Sequence, residues 1–240
     1  KSKTAIKNVV IVAGDSDVEP YVKQALGRAT VQFLKTFIKN NVTVAVTGGT
    51  TMAAVANAMV PFEGFECLFV PARGGVGEKV ENQANTIVAQ MAKAEKGDYR
   101  LLHVPDPLSE DLYQSMIKEP SIMETLHLIK HANIVLHGIG DALTMAERRK
   151  TSVKTVQQLI EEQAVSEAFG YYFDKEGNIV HKVRTIGIHL EDLKNVNKVI
   201  TVAGGKSKAQ AIASYMKQGK SDVLITDEAA AEEIVKNHLL

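Results

Sequence analysis

Seven short runs of mostly β-branched and apolar residues recur through the chain, at 8–13, 43–47, 66–70, 100–104, 133–137, 198–203 and 222–226. Most are apolar nearly throughout and lack strict alternation, the pattern of strands covered on both faces. Longer segments of helical period separate them. In 21–40, Val22, Leu26, Ala29, Phe33 and Phe37 fall along one stripe, which predicts an amphipathic helix. Residues 80–95 repeat the pattern with Val80, Ala84, Ile87, Val88 and Met91. Further helices are expected over 121–132, 207–217 and 227–237, the last opening on Asp227 as N-cap. This alternation predicts an α/β fold with a mostly parallel, doubly wound, Rossmann-like sheet. One segment breaks the rhythm. Residues 165–173 and 179–183 flank Asp174–Asn178 and read as a hairpin with a glycine turn, an inserted flap or an added edge. No repeat, low-complexity tract or Pro/Gly/Ser-rich linker divides the 240 residues, so one domain over 1–240 is expected.

Charge and cysteine content narrow the function classes. The 28 basic and 28 acidic residues balance. That argues against a nucleic-acid surface on this chain, because phosphate neutralisation needs clustered Lys and Arg. Cys67, the one cysteine, lies in an apolar run and reads as a small buried hydrophobe. The first apolar run, 9–13, is too short for a signal peptide's core, and no stretch approaches the roughly 18 apolar residues of a membrane span. A soluble cytoplasmic protein is expected. The chain begins at Lys1 without an initiator Met, as a fragment or processed chain would.

Ligands of open α/β sheets bind beyond the carboxyl ends of the strands. Five strand ends carry glycine, in the turns 14–16, 48–51, 73–77, 138–141 and 204–208. Glycine brings backbone N–H groups close to a ligand, and a helix N-terminus behind it adds free donors and partial positive charge. Gly48 and Gly49 are followed by two hydroxyls, Thr50 and Thr51, just before a helical stretch at 52–58. Gly204 and Gly205 are followed by Lys206 and Lys208. Both turns read as phosphate sites, with Arg73 beside a third; the alternative is that such glycines only permit tight turns. Nucleotide signatures fail. A Walker loop ending at Gly205-Lys206-Ser207 needs glycine where Ile200 stands, and dinucleotide patterns from Gly138 and Gly75 break at Leu143 and Val80. A small phosphorylated sugar is the expected ligand, with no cofactor and no metal.

Other polar residues leave alternatives open. Arg148 or Arg149, in the charged stretch 141–149, either reaches a phosphate or belongs to a solvated turn. Glu167 either accepts sugar hydroxyls or is an exposed edge residue, and the residues alone favour the edge. His127 and His131 are four apart on a predicted helix and could share a metal, but no Cys or second acidic ligand accompanies them, so structural or solvated histidines are the better reading. His137 reads as a satisfied histidine at a strand end. No nucleophile elbow is present.

Six motifs occur together: Thr47-Gly48-Gly49-Thr50-Thr51, Val70-Pro71-Ala72-Arg73-Gly74-Gly75, Asn82-Gln83-Ala84-Asn85-Thr86, His137-Gly138-Ile139-Gly140, Glu167-Ala168-Phe169-Gly170-Tyr171-Tyr172-Phe173 and Ala203-Gly204-Gly205. With them the chain, from Ala5 onward, resembles the effector-binding domains of SorC-type bacterial repressors of central glycolytic genes. These are similar in fold to glucosamine-6-phosphate deaminase and ribose-5-phosphate isomerase. The resemblance implies that fructose 1,6-bisphosphate is the inducer, with other glycolytic phosphosugars weaker. It implies homo-oligomers, dimers that form tetramers on DNA. A winged helix-turn-helix domain preceding Lys1 would contact the DNA, and ligand would alter oligomer geometry to relieve repression.

Carried across by motif, Gly48, Gly49, Thr50 and Thr51 hold one phosphate together with Lys208. Arg73 and Gln83 lie on the sugar or second phosphate, with Arg148 nearby. Glu167 accepts sugar hydroxyls, against the reading from the residues alone. Gly138 and Gly205 complete the binding set. The chain departs from the family pattern at Lys206, where a small polar residue is expected; Lys208 is preferred over Lys206 as the phosphate ligand. The alternative is an isomerase or deaminase on the same fold. It has Glu78, Asp141, Glu167 and Asp227 available as acid or base, with no spacing that singles out a pair.

Overall fold

The computed structural model describes residues 6–38, 41–76 and 79–240, and of Val76 the backbone only. Its strands are β1 (Asn8–Val12), β2 (Val42–Val46), β3 (Cys67–Pro71), β4 (Gly75–Val76), β5 (Asp98–Tyr99), β6 (Pro105–Asp106), β7 (Ile134–His137), β8 (Gly140–Asp141), β9 (Ala164–Ala168), β10 (Tyr171–Asp174), β11 (Ile179–Lys182), β12 (Lys198–Val202) and β13 (Val223–Asp227). The helices come between them. They are α1 (Pro20–Phe37), α2 (Thr50–Asn57), α3 (Ala84–Glu95), α4 (Glu110–Met116), α5 (Pro120–Lys130), α6 (Ala142–Arg148), α7 (Val153–Glu161), α8 (Ala209–Met216) and α9 (Glu228–Lys236).

A seven-stranded sheet runs in the order β1-β13-β12-β7-β2-β3-β5 with every pairing parallel. Side chains alternate between two cores. Val44, Val46, Ile134, Leu136, Ile200 and Val202 pack against α1, α2 and α3, where Leu26, Leu34, Val55, Ile87 and Met91 are fully buried. Ala45, Val135, Val199 and Leu224 face the other side, against Ile129 of α5, Ile212 and Tyr215 of α8 and Ile234 of α9. Two covered faces explain why these strands read as continuous apolar runs. Each fully buried Leu or Ile contributes about 1.5–3 kcal/mol relative to exposure.

The chain steps outward from β2 to β3 and β5 in one direction and from β7 to β12 and β13 in the other. The order therefore reverses between β2 and β7, and ligands of open α/β sheets lie in the crevice at such a switch point. Thr47 and Gly138 follow those two strands and are joined across the crevice, with the Gly138 amide donating to Thr47 Oγ1 at 3.3 Å.

Three expectations are corrected. Residues 100–104 form no strand; only Asp98–Tyr99 joins the sheet. Beyond it the Asn85 side chain takes the place of a neighbouring strand, accepting from the Leu102 amide at 3.0 Å and donating to its carbonyl at 3.1 Å. Residues 165–173 are two strands, because Phe169 and Gly170 take φ of 56° and 84° and reverse the chain. The Asp174–Asn178 turn then leads into β11 as expected, and β11-β10-β9-β8 form a separate antiparallel sheet packed on α8. The charged stretch 141–149 is no solvated turn but α6, capped by Asp141. Asn40, Gly77, Glu78 and Ala5, which earlier expectations include, lie outside the described residues.

Candidate ligand-binding site

A cavity of about 420 Å³ opens at the switch point. That volume suits a small metabolite. Its walls come from the β2–α2 turn, the Arg73–Gly75 and Asn82–Ala84 segments, Gly138–Asp141, α6, the β9–β10 turn and Ser207–Lys208. Of the residues expected to bind, Gly48, Gly49, Thr50, Thr51, Arg73, Gln83, Gly138, Arg148, Glu167 and Lys208 all line it; Gly205 does not.

The β2–α2 turn is shaped by close approach. A Cβ on Gly48 would sit 2.8 Å from the Asn82 carbonyl, and Gly49 has φ of +114°, which other residues rarely adopt. The Gly49 amide donates to that carbonyl at 2.8 Å, fixing the turn. Behind it, the Thr50 and Thr51 amides in the first turn of α2 find no acceptor among the described residues. First-turn amides have no helical partner, and they face the cavity with the positive end of the helix dipole.

Cations gather at this end. Lys208 Nζ lies 3.2 Å from the Ile139 carbonyl. Its pKa is pushed down by burial and by the charges of Lys23 and Arg148, which Asp17 and Asp141 only partly offset. Lys23, on α1, places Nζ 3.4 Å from Thr50 Oγ1. Three like charges around free amides form a locus that an anion would stabilise. Lys206 points away, 62% exposed, with Nζ 3.7 Å from Glu233.

The second glycine turn differs from expectation. The Gly205 amide donates to Asp227 Oδ2 at 2.7 Å, Lys206 to Asp15 at 3.3 Å and Ser207 to Asp17 at 2.7 Å. The Lys208 amide goes to the Gly205 carbonyl at 3.0 Å. Protein carboxylates occupy the donors that were expected to hold a phosphate. Only the Lys208 side chain and Ser207 reach the cavity from this turn.

The opposite end is charge-compensated. Glu167 is 4% exposed, which overturns the reading of an edge residue. Its Oε1 accepts from Arg73 at 3.0 Å, Arg149 at 2.9 Å and the Gly170 amide at 2.6 Å. Burial would raise its pKa, but Arg149 and Arg73 hold it below the usual carboxylate value. Arg73 also pairs with buried Asp106, and Arg149 donates to Tyr172 Oη at 2.9 Å. Glu167 Oε2 makes no hydrogen bond with the described residues and lies on the Gly140 side of the cavity. The end thus offers a carboxylate oxygen to a hydroxyl without presenting net charge.

Residue reading missed Lys23, Asp106 and the structural role of Arg149. Nothing in their spacing marks them, since α1, β6 and α6 meet the site only through the tertiary fold. His137 is fully buried with both ring nitrogens engaged. His127 and His131 stack at 4.2 Å between ring centroids. Of the carboxylates available to an enzyme, Asp227 caps α9 and accepts three amides, and Asp141 accepts from Thr144 at 2.9 Å. No described helix is long and apolar enough to cross a membrane.

Residues 1–236 match the Sugar-bind family model, a sugar-binding domain. The chain is 56% identical to the central glycolytic genes regulator of Priestia megaterium, over 99% of this chain and 70% of that protein. It is 49% identical to the Bacillus subtilis regulator of the same name, over 99% of the chain and 70% of that protein. A crystal structure of a SorC-family transcriptional regulator from Enterococcus faecalis superposes with a TM-score of 0.91 at 49% identity, covering 96% of this chain and 95% of that one.

Proposed function

Because this chain belongs to the sugar-binding domain family of SorC-type transcriptional regulators, we propose that it is the effector-sensing domain of a repressor of glycolytic genes. Its effector is fructose 1,6-bisphosphate, with related phosphosugars binding more weakly. The relatives are transcriptional regulators and not enzymes, and the chain is a regulatory domain. The isomerase or deaminase alternative is set aside on that ground.

The observation that carries the ligand class is the cation cluster of Lys208, Lys23 and Arg148 around the free amides of Thr50 and Thr51. One phosphate sits there, taking amide and hydroxyl donors from the α2 N-terminus. The sugar extends toward Glu167, whose unengaged Oε2 accepts a hydroxyl. Gln83, Arg73 and Gly138 line the path between, with Arg73 and Gln83 on the sugar or the second phosphate.

In the intact protein a DNA-binding domain precedes this one, and the repressor acts in the cytoplasm as a dimer that forms tetramers on its operator. Ligand ties together the β2–α2 turn, α6 and Lys208, and relieves repression by favouring the oligomer geometry that holds DNA weakly. Its effect is bounded by its differential affinity for the two states, typically about 1–3 kcal/mol. A thermal-shift panel of glycolytic intermediates tests the ligand. Fructose 1,6-bisphosphate at about 100 times its Kd should stabilise the fold by about 2.7 kcal/mol. The absence of a shift with every phosphosugar would overturn the reading.

A further inference from the structure

His137 makes no contact that ligand binding explains. It sits fully buried at the end of β7. Its Nδ1 lies 2.9 Å from the Gly138 carbonyl and its Nε2 2.7 Å from Thr201 Oγ1. A carbonyl only accepts, so Nδ1 carries the hydrogen and Nε2 accepts from the threonine hydroxyl. Burial pushes the ring's pKa down to about 4, so it is neutral near pH 7. The ring packs against Phe169, 4.5 Å between centroids, with Tyr215 edge-on at 5.0 Å.

Phe169 is itself unusual. With Gly170 it forms the two-residue turn between β9 and β10, at φ of 56° and 84°. Such turns favour Asn-Gly, and a bulky aromatic at positive φ is strained. Strain of this kind persists only where the surroundings over-determine it, and it concentrates at ligand sites. Here one side of the turn is the His137 platform. The other is the Gly170 amide, which holds Glu167 Oε1 at 2.6 Å. Phe169 and Glu167 both line the cavity.

We propose that His137 is a positioning residue for the sugar end of the cavity, fixing the strained Phe169–Gly170 turn so that its amide aims Glu167 at the ligand's hydroxyls. The inference rests on the reading of the cavity as a phosphosugar site. Arg73 and Arg149 hold Oε1 through long side chains, whereas the Gly170 amide is fixed to the backbone of the turn. The amide is the third donor on Oε1 and fixes the plane of the group, and so the direction in which the unengaged oxygen points.

Calorimetric titration with fructose 1,6-bisphosphate and with inorganic phosphate tests this on the wild-type chain, His137→Asn, Phe169→Leu and the double variant. Asparagine keeps a donor near the Nδ1 position but removes the ring; leucine keeps apolar bulk but removes the stacking partner. Each single variant should weaken the bisphosphate at least tenfold and leave inorganic phosphate within about twofold, because the Thr50–Lys208 end is untouched. The double variant should bind no worse than the weaker single, since both act through one turn. Unchanged bisphosphate affinity in the folded variants, equal losses for both ligands, or additive losses in the double variant would each overturn the role of His137. Should His137→Asn fail to fold, Phe169→Leu alone decides by the same split. A wild-type chain that takes phosphate but no phosphosugar would instead refute the reading of the cavity.

Discussion

The two glycine-rich turns at 48–51 and 204–208 look alike as sequence: each ends a parallel strand, opens a helix and adds polar side chains. They do different things in the fold. At the first, glycine brings the chain against the Asn82 carbonyl and leaves the Thr50 and Thr51 amides open to the cavity. At the second, Asp227, Asp15 and Asp17 have taken the amides of Gly205, Lys206 and Ser207. A glycine turn binds anions only if nothing inside the protein has already claimed its donors, because each backbone N–H is a single donor and one that is already paired is not free for a ligand. Of the acidic residues that settle this, Asp227 lies 22 positions from its partner in the turn, whereas Asp15 and Asp17 lie 191 and 190 positions from theirs.

The sharpest way to break this contrast is to remove the internal anion. Asp227 is fully buried and accepts from the Ser16, Gly205 and Ala230 amides. Asp227→Ala should destabilise the chain by about 2–4 kcal/mol, from a lost N-cap and stranded buried amides. Urea denaturation measures it. Phosphosugar affinity of the folded fraction should change by no more than a few-fold. Loss of binding with stability intact would mean that the second turn is a ligand cradle after all.

Next in size is the side chain through which the second turn does reach the cavity. Lys208→Met should weaken fructose 1,6-bisphosphate by roughly 30-fold, about 2 kcal/mol for one hydrogen bond to a charged group. Stability should not fall, because the change removes one of three mutually repelling cations. Titration calorimetry and thermal melts of the same preparation separate the two effects.

The difference between these turns also marks what was legible beforehand. Buried strands and long amphipathic helices were readable because burial on both sheet faces writes itself into local composition. The Asn82–Lys208 surroundings of the cavity were partly readable, since turns at strand ends converge at a switch point. What was hidden is pairing at long range. Arg73, Asp106, Arg149 and Glu167 meet from four separate segments, and no local pattern signals that their charges cancel. The positive φ of Phe169 was hidden for a related reason: its ring is held by His137 and Tyr215, which lie elsewhere in the chain. Residues 100–104 looked like a strand because they are apolar, whereas Asn85 supplies the hydrogen bonds that a strand would have made.

A smaller effect sharpens the role of the open turn. Phosphate gains its second charge near pH 6, so affinity should rise through that region. Lys208 must be protonated to pair with it. Its pKa lies below the ordinary lysine value, through burial and the neighbouring charges of Lys23 and Arg148. Affinity should therefore fall again as pH rises through the lowered pKa, earlier than for an exposed lysine at about 10.4. Binding draws Lys208 back to its charged form, so proton uptake should accompany it on the alkaline side. Calorimetry in buffers of different ionisation enthalpy reads that uptake directly, and Lys208→Met should abolish it.

The smallest expected change is the most discriminating. Lys206 and Lys208 are two residues apart on one turn, and their charges are identical. Yet Lys206 is 62% exposed and reaches only Glu233, 3.7 Å away, while Lys208 lines the cavity. An exposed pair at that distance contributes about 0–1 kcal/mol, and long-range attraction to a bound phosphate is screened within about 8–10 Å of solvent. Lys206→Ala should leave both stability and bisphosphate affinity within about twofold at physiological salt. A loss approaching that of Lys208→Met would mean that the turn rotates on binding to present Lys206. That rotation would have to break the Lys206 and Ser207 amide bonds to Asp15 and Asp17, and with them the distinction between the two turns.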